Sequence, residues 1–129
     1  MNKAGAILQL ALFALVQADD GLVARYAPLA EADMSPTFSY DGMRSQWLDR
    51  SVLLSRHAIE FSVWNMQAAF AEGDDIAGML IRAMSNLALG APFERVHMRL
   101  QAIETGFDGG SRLWRQQLEF EALIREVSS

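Results

Sequence analysis

The stretch from Asp41 to Glu72 constrains this chain more than any other. It contains no proline, and Gly42 at its edge is its only glycine. Wound at 3.6 residues per turn, its side chains sort into three arcs. Gln46, Asp49, Arg50, Arg56, His57, Glu60 and Gln67 share a polar arc. Opposite runs a ridge of small residues, Ser51, Ser55, Ala58, Ser62 and Ala69. Trp47, Leu54 and Phe61 flank the ridge on one side, and Leu48, Val52, Ile59, Val63, Met66 and Phe70 on the other. So wide an apolar arc needs more than one neighbour, and the small ridge would let one partner helix approach closely. The pattern predicts a long central helix, at about residues 41–72, around which the rest packs.

The flanking segments extend the same reading. Ala4 to Ala18 is apolar except for Gln9 and Gln17, which predicts a first helix buried in a bundle or at a subunit interface. The alternative for residues 1–18 is a secretory signal: Lys3 precedes the apolar run, and Val16-Gln17-Ala18 has the form of a cleavage site. The run is shorter than the roughly 20 apolar residues of a membrane span. Asp19-Asp20-Gly21 breaks the chain, and Leu22 to Ala32 predicts a short helix interrupted by Pro28. Asp33 to Gly42 reads as a loop carrying Phe38 and Tyr40.

Beyond the central stretch, Gly73-Asp74-Asp75 predicts a stop and restart. Ile76, Leu80, Ala83, Met84 and Leu87 then recur at helical spacing. Gly90-Ala91-Pro92 opens a further helix, with Phe93, Val96, Leu100 and Ile103 at gaps of three, four and three. The glycines near 109–110, followed by Ser111, lead to a last helix from about Arg112 to Val127. The expected fold is all-α: a single domain over 1–129, a helical bundle of five to six helices.

Length and charge narrow the function. A chain of 129 residues is long enough to bury its own core. Its net charge is −5, with the basic residues scattered rather than clustered, which argues against nucleic acid as a partner. The absence of cysteine excludes disulfides, thiolate metal sites and cysteine nucleophiles. With only one Lys and two His, no nucleophile–base spacing stands out, and no catalytic residue is assigned.

The one ligand-like pattern lies at the histidines. His57 and Glu60, and likewise Glu94 and His97, stand three residues apart. On helices such pairs share a face and could hold a divalent metal, as carboxylate bundles do. The bland reading of each pair is a local ion pair on a helix rim. Trp47, Trp64 and Trp114 read as core rather than as a stacking platform, and the methionines as core filler. Two function classes follow. The favoured one is a non-enzymatic, cytoplasmic interaction or adaptor protein without cofactor, a homo-oligomer (a dimer) with no membrane span. The alternative is a small-molecule or metal-binding bundle using His57, Glu60, Glu94 and His97.

Overall fold

A computed structural model describes residues 3–26, 37–65, 71–110 and 112–127. Helices α1 (Lys3–Ala18) and α2 (Asp20–Arg25) precede strand β1 (Thr37–Asp49). A single 3-10 turn over Arg50–Val52 leads into β2 (Leu54–Asn65), followed by helix α3 (Ala71–Ser85). Strands β3 (Phe93–Asp108) and β4 (Leu113–Glu126) complete the chain. The four strands form one antiparallel sheet in the order β1-β2-β4-β3, and the helices pack on one of its faces. The expected all-α bundle is therefore wrong. The domain is α+β, two layers thick, with the sheet as its larger part.

Over residues 41–65 the proposed central helix is instead the β1–β2 hairpin; its expected continuation over 66–70 lies outside the described residues, and Ala71 and Glu72 belong to α3. In β2, Ser55, His57, Ile59, Phe61 and Val63 all point under the helices and are buried. Between them Arg56, Ala58 and Glu60 face the open side, as a strand's period of two requires. Two polar residues among the inward positions, Ser55 and His57, hide that alternation from a hydrophobicity pattern. The small ridge dissolves too. Ser55 and Ser62 are both fully buried, but they lie on opposite faces of one strand.

The last two expected helices are also strands. In β3 the register slips between Arg95 and His97 and again between Leu100 and Ala102. Each slip inserts one residue and breaks the period of two. The inward positions become Phe93, Arg95, Met98, Leu100 and Ile103, whose uneven gaps imitate a helical stripe. In β4 the alternation is intact from Gln117 to Arg125: Leu118, Phe120, Ala122 and Ile124 are buried, and Glu119, Glu121 and Leu123 lie between them on the other face.

The helices that do form follow their expected signals in part. Asp19 caps α2 by accepting from the Gly21 and Leu22 amides at 3.0 and 3.2 Å. That helix ends at Arg25, short of the expected Ala32; residues 27–36, including Pro28, lie outside the described residues. Phe38 and Tyr40, expected on a loop, stand on β1. The predicted break at Gly73-Asp74-Asp75 falls inside α3. Ile76, Leu80 and Met84 reach the core as their spacing indicates, and Arg95 donates to the Ser85 carbonyl at 2.7 Å where α3 ends.

The core lies between the helices and the inner sheet face. Ala4, Leu8 and Leu12 form the buried stripe of α1, meeting Ile59, Phe61, Phe120 and Ile124 from the sheet. Phe61 stands between Phe38 and Phe120, with ring centroids 6.2 and 6.0 Å away. Phe13 of α1 meets Tyr40 edge-on at 5.3 Å, and the Tyr40 hydroxyl donates to Gln9 Oε1 at 3.0 Å. The apolar first helix is thus covered by its own sheet along one side, while Leu10 on the other side stays 65% exposed.

This orientation is testable by charge insertion. Leu12→Glu places a carboxylate in the core and should cost about 4 kcal/mol or more. Leu10→Glu should change stability by no more than about 0.5 kcal/mol. Urea unfolding followed by circular dichroism reads both. Equal losses at the two positions would show that α1 faces the sheet differently.

Candidate functional site

The two faces of the sheet carry two different polar clusters. Beneath α1, His57 is fully buried. Its Nδ1 lies 2.6 Å from Ser45 Oγ on β1 and its Nε2 lies 2.8 Å from Ser55 Oγ. Ser55 Oγ also donates to the Ile124 carbonyl at 3.4 Å, so it accepts the Nε2 proton, and Nδ1 then accepts from Ser45. That places one proton on each available bond and leaves the imidazole neutral. Burial lowers the His57 pKa from the ordinary 6.5 to about 4. Sequence reasoning put His57 on a polar helix rim; the strand period puts it in the interior.

A serine hydroxyl touching an imidazole is the beginning of a nucleophile–base pair. Here the pair is closed. A methyl group added at Gly5 of α1 would come within 2.8 Å of Ser45 Oγ, so the helix already occupies the space a substrate carbonyl would need. Both ring nitrogens of His57 are held by serine hydroxyls rather than by a carboxylate among the described residues, and a base with a pKa near 4 takes up a proton weakly at neutral pH. The cluster ties β1, β2, β4 and α1 together, which is a structural role.

The open face is a lattice of charges. Glu121 on β4 is its hub: Oε1 lies 3.0 Å from His97 Nε2 and 3.4 Å from an Arg99 nitrogen, and Oε2 lies 3.9 Å from Arg56. Arg44 lies 3.8 Å from both Glu60 and Glu119. Near the other end of the sheet, Arg115 donates from Nε to Ser62 Oγ at 2.7 Å and pairs with Asp41 at 3.1 Å. Ser62 donates to the same Asp41 carboxylate. Ser39 donates to Asp41 at 3.0 Å and accepts from the Trp64 indole at 3.0 Å, and Arg115 stacks over Trp64 at 5.3 Å. Asp41 sits where the β1 register slips. The slip turns its carboxylate toward the Ser62 and Arg115 side chains, linking three strands. Sequence reasoning missed this network because its members are separated by up to 74 residues.

The four candidate metal ligands are not brought together. His57 and Glu60 stand on opposite faces, because three residues along a strand reverse the side. Glu94 and His97 share the open face only because the slip at Val96 restores it. Glu94 pairs with Arg125 at 2.9 Å, His97 with Glu121, and Glu60 with Arg44 and Gln117. Among the described residues no group of three His, Cys, Asp or Glu side chains could hold a metal ion. Among them, too, no helix is long and apolar enough to cross a membrane.

The fold defines a small two-layer domain, a long antiparallel sheet with helices on one face. No family model matches the sequence, and no curated protein matches it. Among solved structures, the chain is similar to one from the virion of a native gene transfer agent particle. The two superpose with a TM-score of 0.74 at 19% identity, covering 97% of this chain and 99% of the other. At that identity the likeness establishes the shared fold.

The buried histidine makes stability depend on pH. The unfolded chain binds a proton at His57 below about 6.5, while the folded one resists until about 4. The stabilisation is complete above pH 6.5 and declines as pH falls toward 4, by roughly 3 kcal/mol in all. Urea unfolding of wild type and His57→Gln across pH 4–7 isolates it from the titration of carboxylates. The two curves should diverge over that window, and parallel curves would remove His57 as the cause.

Proposed function

We propose that this chain is a non-enzymatic structural subunit that acts by self-association, as a component of an assembled virion-like particle. The observation that carries the reading is the superposition, along nearly its whole length, on a chain from such a particle. Among the described residues the serine–histidine contacts at His57 are sealed beneath α1, which gives them a structural rather than a chemical role. The reason for association differs from the one the sequence suggested. The first helix is covered by the sheet, and what remains exposed includes Trp47, Leu48 and Val52 at one end and Ile103 and Phe107 at the other. The smallest such assembly is a homodimer, and its place before incorporation is the cytoplasm. The metal-binding alternative has less support, since its four residues are divided between two faces.

Light scattering coupled to size exclusion tests the proposal. From micromolar to millimolar concentration the mass should rise to at least twice the 14.3 kDa of the chain. A protein that remains monomeric across that range would overturn the reading.

A further inference from the structure

Two hairpin tips lie at diagonally opposite corners of the sheet. The β1–β2 turn stands at the end where Leu54 pairs with Arg125, and the β3–β4 turn at the end where Asn65 pairs with Trp114. Within one molecule the two cannot meet. We infer that they meet between molecules: the β1–β2 tip of one copy docks into a groove beside the β3–β4 tip of the next. The inference rests on the proposed self-association and names the contact.

The tip is a rigid knob. Asp49 accepts from the Ser51 amide at 2.9 Å and from its hydroxyl at 2.6 Å, which holds the turn and keeps the Asp49 pKa low. Leu53 closes the turn in the left-handed conformation at φ 51°. Arg50 rides over the Trp47 ring at 6.0 Å, and Val52 is 50% exposed beside it. The outcome is a cation mounted on an apolar base, fixed before any partner arrives. Little freedom remains to be lost on binding, and Trp and Arg are the residues most often found at the centres of protein contacts.

The groove has the complementary character. It is about 240 Å³ in volume and is lined by Glu104, Phe107, Asp108, Arg115 and Gln117, with Gly106 in its wall. That is below the roughly 300–1,000 Å³ of a small-molecule pocket and suits a side chain better. Glu104 and Asp108 supply two carboxylates, while the single cation, Arg115, is drawn toward Asp41 and Ser62. Phe107, 54% exposed, turns its ring to the helix side of the sheet, edge-on to Trp114 at 5.4 Å, so the groove's mouth on the open face is set by its charged and polar side chains. Arg50 finds acid. Because knob and groove are different surfaces, the contact runs head to tail and closes into a ring or continues as a filament, according to its angle.

Charge reversal tests the pairing. Arg50→Glu sets an acid against the acidic groove, and Glu104→Arg sets a base against the basic tip. Both side chains are exposed, so circular dichroism and Tm should match wild type. Each variant alone should associate at least 10-fold more weakly than wild type by light scattering. An equimolar mixture should recover assembly, because every contact between unlike copies again pairs opposite charges. The double variant should recover it as well. If wild type assembles and both single variants assemble equally well, the knob-and-groove contact is wrong while self-association stands. Weakened variants that fail to complement one another would also overturn it. A wild type that never associates would remove both.

Discussion

The structure depends on the pairing of β2 with β4. These strands are the two inner members of the sheet, joined from Leu54–Arg125 to Asn65–Trp114 across roughly half the chain length. Neither β1 nor β3 has another strand to lean on, and each is a hairpin arm attached to this pair. The inner faces of β2 and β4 also supply Ile59, Phe61, Phe120 and Ile124, the surface on which α1 and α3 sit. Without the long-range pairing the helices have no floor. Such a contact forms late in sequence distance, and loop-closure entropy must be met before it stabilises anything.

What the sequence disclosed followed from local rules, and what it hid followed from tertiary ones. The first helix, the break after Ala18 and the apolar stripe of α3 are set within a few residues, and they stand where their signals place them. The strands were misread because their alternation is interrupted where it matters. Ser55 and His57 take inward positions that an apolar pattern leaves blank, since they satisfy one another. Val96 and Gln101 are extra residues in β3, and without the two of them the strand has a period of two throughout. Gln117 to Arg125 was the exception: its alternation was plain, but Leu113, Phe120, Ile124 and Val127 also fit a helix. A strand and a helix share every position at which their periods coincide.

The same shift of period decided the candidate site. Residues three apart are neighbours on a helix, yet His57 and Glu60 are opposites on their strand, and Glu94 and His97 share a face only through the slip at Val96. Hence one histidine became a neutral, buried link among hydroxyls and the other a partner of Glu121 on an exposed charged face. A buried polar group is stable only when all its bonds are met, and His57 meets that condition through Ser45 and Ser55. The open face obeys a looser rule. Surface ion pairs contribute little singly, but a face this rich in charge offers little apolar area to a second sheet.

The two slips in β1, at Asp41 and Leu48, and the two in β3, at Val96 and Gln101, have a consequence for solution behaviour. The outer strands are 13 and 16 residues long, and apart from the Tyr26–Phe38 bridge their outer edges meet no other strand among the described residues; a long edge is the template along which stray chains zip into amyloid-like stacks. Each slip twists the strand and breaks the ladder into short runs, and Arg44, Glu94 and Arg99 add charge between them. A visiting strand can then match only a few rungs before its register fails.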